Sequence, residues 1–203
     1  MEFSEHWEVA ALNQRIRRVL SVFRTMAAHM GANGQNSDES ALHLSGRIGA
    51  IGRAVLAPIF FDGIDLESLV RDELLLHAAD TERSAIAGPE VRLTPKAAEL
   101  MSLVIHELAT NAVKYGALSQ PPAKISIIWE IAHYFGSPSL HFEWVESGVR
   151  MMAGAPLRPG FGSELVERLI ARELKGEGKM AFLPDGVRCT VEIPLGDARH
   201  AHE

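Results

Sequence analysis

The sequence predicts an α+β chain in which an N-terminal helical hairpin precedes a domain of interspersed helices and strands. Three features point there. From Val9 the apolar residues Leu12, Ile16, Val19, Phe23, Met26 and Met30 recur at alternating steps of four and three, the seam of a bundle helix. Two long runs of strand-like composition, "KISIIWEIAHYF" and "SLHFEWVES", are separated by "GSP". A Gly- and Pro-punctuated loop, residues 148–162, then leads into a helix and two further strands.

Taken in order, "GANGQNSDES" interrupts the first seam, and a second, Leu44, Ile48, Ile51 and Val55, runs to Pro58. Residues 5–57 therefore read as a hairpin whose single apolar stripe is too thin to bury itself, and pairing of two copies into a four-helix bundle would cover it. After "FFDGID" the stretch "DLESLVRDELLLHA" reads as a helix and "RSAIAGP" as a strand. Thr94 and Pro95 suit the N-cap and first turn of a long helix. Beyond residue 162 come the helix "SELVERLIARELKG" and the strands "GKMAFL" and "VRCTVEIPL", joined across Pro184, Asp185 and Gly186. These signals divide the chain into 1–60, 61–196 and a tail, 197–203, whose "GDARHAHE" is expected to fray.

Composition narrows the function classes. With 47% hydrophobic and 23% charged residues and a formal net charge of -6, the chain is neither disordered nor a general nucleic-acid binder. No run of about 18 apolar residues is present, and "MEFSEHWEVA" is acidic where a secretory signal would be basic, so the expected location is the cytoplasm. The single cysteine, Cys189, alternates with Val187, Val191 and Ile193 and reads as core packing.

The long helix carries "HELATNAVKYGALS", residues 106–119. At 3.6 residues per turn, Met101, Val104, Ile105, Leu108, Ala112 and Tyr115 share one face, while Glu107, Asn111 and Lys114 line another. A solvated polar face is one reading. The other starts from Asn111, whose amide competes with backbone hydrogen bonds in mid-helix and so needs a reason to be there. A carboxylate and an amide oxygen one turn apart can hold a hydrated magnesium ion, and an ammonium one turn further on can meet a phosphate. Gly160, Phe161 and Gly162, followed by Ser163, either mark a simple loop-to-helix junction or present backbone N–H groups and a helix dipole to an anion. In "WVESG", Glu146 is either an ordinary strand end or an acceptor for an adenine amino group, and Gly148 opens the loop.

Together "HELATNAVKYGALS", "WVESG" and "GFGSELVERLI" resemble the catalytic core of the HWE-type sensor histidine kinases over roughly Leu12 to Leu195, and the first motif is the most specific of the three. The resemblance implies a Bergerat-type ATP-binding domain over 61–196, an α/β sandwich with helices on one face of a mixed sheet and the loop before the glycines acting as a lid. It implies ATP and Mg2+ as cofactors, with Asn111 and Glu107 at the metal and Glu107 also polarising the nucleophile. It further implies that Lys114 contacts phosphate, Glu146 reads adenine, Gly148 begins the lid, and Gly160 and Gly162, with Ser163, approach the phosphates. His106 and Trp144 match residues that help name the family, whereas "HWE" at residues 6–8 is coincidental.

One departure matters chemically. The family's phosphoacceptor segment has a form like L-N-H-R-V-K-N, and here "LNQRIRR" puts Gln14 in the histidine's place. A carboxamide is no nucleophile at neutral pH, whereas a neutral imidazole attacks phosphorus, so autophosphorylation at this site is not expected. The glycine and proline that follow "WxE" in the family are Val149 and Arg150 here. Candidate replacement acceptors are His6, His29, His43 and His77, each of which also reads as a surface or filler histidine. Arg15, Arg17, Arg18 and Arg24 make the first helix basic, either as a solvated face or as a docking surface for an acidic partner such as a response-regulator receiver domain. Three functions follow in order. The first is a Mg-ATP-dependent kinase of the histidine-kinase class with altered phosphoryl transfer. The second is a pseudokinase or adaptor that engages response regulators or partner kinases through its bundle, and the third a serine/threonine kinase of the anti-sigma type.

Overall fold

The computed structural model describes residues 45–52, 63–77, 84–134, 137–150, 161–194 and 198–200. The chain divides after Ile48, and the architecture below belongs to the second unit, Gly49–Glu203. The first hairpin helix, Gln14, His6, His29 and His43 lie outside the described residues. Of the second seam, residues 45–52 are helical (α1). Ile51 is buried and Ile48 is 42% exposed.

Strand β1, Ile64–Asp65, leads directly into helix α2, Leu66–Leu76. Asp65 caps this helix by accepting from the Ser68 backbone N–H at 2.9 Å. Strands β2, Ser84–Ala87, and β3, Val91–Leu93, precede helix α3, Pro95–Lys114. Its start is the one expected: Thr94 is extended, its hydroxyl accepts from the Ala97 N–H at 3.3 Å, and Pro95 occupies the first turn, where no N–H is needed. Strands β4, Lys124–Tyr134, and β5, Ser137–Ser147, form the expected hairpin. A helical segment over 161–174 (α4) then leads to β6, Glu177–Leu183, and β7, Gly186–Pro194.

A five-stranded sheet in the order β2-β4-β5-β7-β6 forms the centre. β2 runs parallel to β4 and the other pairs are antiparallel, so the sheet is mixed. Its register sends Ile125, Ile127 and Trp129 of β4, Leu140, Phe142 and Trp144 of β5, and Cys189, Val191 and Ile193 of β7 to one buried face. Helices cover that face. The apolar side of α3 is buried from Ala97 to Leu108, and α4 lies so close to β6 that a Cβ on Gly178 would stand 2.1 Å from the Val166 carbonyl oxygen. Cys189 is fully buried, as expected, and burial pushes its thiol pKa up to about 12, which keeps it un-ionised and inert.

The structure departs from expectation in three places. The tail does not simply fray: β8, Ala198–His200, pairs antiparallel with β3, which also pairs with β1, making a second, three-stranded sheet. α4 begins at Phe161, two residues earlier than expected, and Leu165–Leu169 form a π turn within it. Tyr115 is the C-cap of α3 and is 52% exposed, so it does not continue the apolar face.

Candidate functional site

The polar stripe of α3 is intact but not uniformly solvated. Glu107 is buried at 7% exposure, while Asn111 and Lys114 are exposed. The segment that meets this stripe is the first turn of α4. A Cβ on Gly162 would lie 3.4 Å from Glu107 Cβ and 3.8 Å from Asn111 Nδ2. Two motifs more than fifty positions apart are thereby brought side by side, with the helix N-terminus beside the Glu107 stem and the Asn111 amide. Gly160 lies outside the described residues. Ser163 is buried, and its hydroxyl donates to Met180 Sδ at 3.5 Å, toward the sheet.

Just beyond the C-terminus of α3 the turn 115–120 folds back on the helix, with the Gly116 and Leu118 N–H groups both donating to the Ala112 carbonyl. Glu146, at the end of β5, fastens this turn to the sheet. It is 2% exposed; Oε2 accepts from the Ala117 N–H at 2.7 Å and Oε1 from the Trp144 indole N–H at 3.2 Å. Each carboxylate oxygen retains a further lone pair. Gly116 is required by this contact, since a Cβ there would stand 2.0 Å from Glu146 Oε2. Gly148 follows with a positive φ of 75°, and two bonds anchor what comes next. The Val149 N–H donates to the Asp185 carbonyl at 2.9 Å, and the Arg150 N–H to Gln120 Oε1 at 3.0 Å. Val149 and Arg150 are thus tied to the β6–β7 turn and to the turn that follows α3.

Burial raises the Glu146 pKa above its ordinary 4.5, and the Ala117 and Trp144 hydrogen bonds pull it partly back. A carboxyl group whose folded-state pKa is raised binds more protons folded than unfolded. Its contribution to stability is therefore full below about pH 4.5 and is lost as pH rises through the folded-state value. In Glu146→Gln that component disappears. The stability of wild type relative to this variant, from urea midpoints at a series of pH values, will fall as pH increases across that window; a difference that stays constant or rises would show that Glu146 is not destabilised by burial.

His106, singled out only through the family resemblance, is buried, and its Nδ1 lies 2.7 Å from Glu73 Oε1. His77, the C-cap of α2, approaches the same oxygen through Nε2 at 3.2 Å. The sequence offered one sign of this cluster, the spacing of four between Glu73 and His77, and none that His106 would join it.

The chain has the fold of a histidine-kinase catalytic domain. No protein-family model matches the chain. It is homologous to blue-light-activated histidine kinases, being 28% identical to that of Rhizobium johnstonii over 204 residues, covering 96% of this chain and 55% of that protein. To the Brucella ovis protein of the same description it is 29% identical over 185 residues, covering 89% of this chain and 37% of that protein. The chain thus spans about half or less of these curated relatives. Among solved structures it matches the Erythrobacter litoralis EL346 blue-light-activated histidine kinase with a TM-score of 0.62 at 15% identity, covering 90% of this chain and 59% of that one. It matches the histidine kinase domain of the same protein with a TM-score of 0.52 at 15% identity, covering 88% and 84%. No helix among the described residues is long and apolar enough to cross a membrane.

Proposed function

We propose that this chain is a histidine-kinase-like signalling protein of the HWE type that binds Mg-ATP between α3 and the first turn of α4, with phosphoryl transfer altered because Gln14 replaces the usual acceptor. The observation that carries the nucleotide reading is Gly162 against Glu107 and Asn111. A glycine in a helix costs about 1 kcal/mol relative to alanine. Here packing does not demand it, because a Cβ would make only ordinary contacts at 3.4 Å and beyond. A helix N-terminus that carries no Cβ, beside the Asn111 amide and the stem of Glu107, suits close approach of a phosphate to backbone N–H groups.

In this reading Asn111 and Glu107 hold a hydrated magnesium ion, an arrangement their one-turn spacing on α3 fits, and the ion neutralises phosphate charge when bound. Lys114, in the last turn of the same helix, reaches a phosphate oxygen. Glu146 reads the adenine amino group through the lone pairs left by Ala117 and Trp144, and Gly148 and Gly160 bound the lid. Residues 5–57 pair two copies of the chain, and the basic helix with Arg15, Arg17, Arg18 and Arg24 docks a response-regulator receiver domain or a partner kinase in the cytoplasm.

Calorimetry with ATP and millimolar magnesium tests this. Wild type is expected to bind; Asn111→Ala to lose binding beyond detection; Gly162→Ala to keep or gain thermal stability yet bind more weakly. Wild-type protein that is folded but gives no heat with ATP or ADP would remove the proposal. The altered acceptor favours a second reading. If nucleotide binds but no label from γ-phosphate ATP reaches this chain or a receiver domain, the protein is a pseudokinase or adaptor.

A further inference from the structure

We infer that Glu73, His77 and His106 form a binding site for a divalent transition-metal ion, zinc being the best match, that clamps α2 to α3. The three candidate ligand atoms lie within 4.8 Å of one another. Two come from consecutive turns of α2, Glu73 and His77, and the third from the middle of α3. Both imidazole nitrogens converge on one carboxylate oxygen, at 2.7 and 3.2 Å. Two donors around a tetrahedral zinc are separated by about 3.3 Å, given bonds of about 2.0–2.1 Å, so these two spacings are already close to those of a shared ion. His77, at the helix end, has the freedom to close the remaining gap.

The donor set selects the ion. Two imidazole nitrogens and one carboxylate oxygen suit zinc with a fourth position open, whereas magnesium and calcium favour oxygen throughout. Burial is graded in the same sense. The Glu73 and His106 side chains are 5% and 9% exposed and that of His77 is 21% exposed, so the open position and the path of entry lie on the His77 side. With no cation, the ring nitrogens facing Glu73 carry protons and donate to it. On binding, each proton sits instead on the other ring nitrogen, leaving a lone pair toward the ion. The site does not depend on the nucleotide reading, since neither Glu107 nor Asn111 is a ligand.

Untagged, chelator-stripped full chain, without nucleotide, is titrated with Co2+ and then with Zn2+. One equivalent of cobalt is expected to give tetrahedral ligand-field absorption that zinc displaces, and zinc to raise the unfolding temperature. His77→Ala, a partly exposed change that leaves the fold intact, should weaken cobalt binding by at least about 100-fold, because loss even of an outer-shell partner costs 10–100-fold. The tail histidines His200 and His202 are the competing source of metal binding, and a His200→Ala/His202→Ala variant should leave the absorption unchanged. Absence of the cobalt bands, their survival in His77→Ala, or their loss in the tail variant would each overturn the assignment.

Discussion

Gln14→His, incubated with γ-labelled ATP and magnesium, gains an acid-labile phosphoryl group at residue 14 that the parent chain cannot carry there. The argument is chemical. The glutamine amide nitrogen has its lone pair delocalised into the carbonyl, while a neutral imidazole offers a localised one. Attack by that nitrogen on the γ-phosphorus forms the N–P bond as the bond to the bridging oxygen breaks, ADP departs, and the ring loses its proton to solvent. All the new variant supplies is the nucleophile; everything else must already be competent. For that reason the experiment also reads the rest of the site. Asn111→Ala in the same background should erase the label. If the histidine variant binds ATP yet stays unlabelled, positioning rather than the acceptor has been lost, and the adaptor reading gains.

Trp144→Ala should be the most damaging single change in the described residues for stability, by about 3–5 kcal/mol. Trp144 is wholly buried in the central strand β5, between Ile127 of β4 and Cys189 of β7. Its removal empties a large volume and also takes one hydrogen bond from Glu146, a carboxylate already disfavoured by burial. A domain stable by roughly 5–15 kcal/mol loses a large share of its margin. For a chain of this size the midpoint of thermal unfolding should fall by roughly 6–20 °C, at about 2–4 °C per kcal/mol. A fall equivalent to less than about 1 kcal/mol, the size of a surface effect, would contradict the packing described.

Local chemistry was the legible part. The Thr94–Pro95 start of α3, the β4–β5 hairpin and the alternation around Cys189 each follow from a few adjacent residues, and each stands as expected. What escaped depends on partners distant in the chain. β1, β3 and β8 are two or three residues long, too short for any periodicity, and exist because they pair with one another. The burial of Glu107 reflects the arrival of Gly162, and the inward turn of Ser163 reflects Met180. The site motifs were readable through likeness to a family, while the geometry that joins them was not. The Glu73–His106 contact is the clearest such case, because 33 positions separate the pair and neither sits in a spacing that announces the other.

Lys96, in the first turn of α3, donates to the backbone carbonyl of Glu173 and stands 3.6 Å from its carboxylate, at the far end of α4 from Gly162. One end of α4 is therefore riveted, and the glycine end is a lever arm of about 17 Å, at 1.5 Å per residue. Each degree of tilt about the rivet displaces Gly162 by about 0.3 Å along that arm. A shift of a fraction of an ångström at that end would alter how closely the Gly162 backbone stands to Glu107 and Asn111.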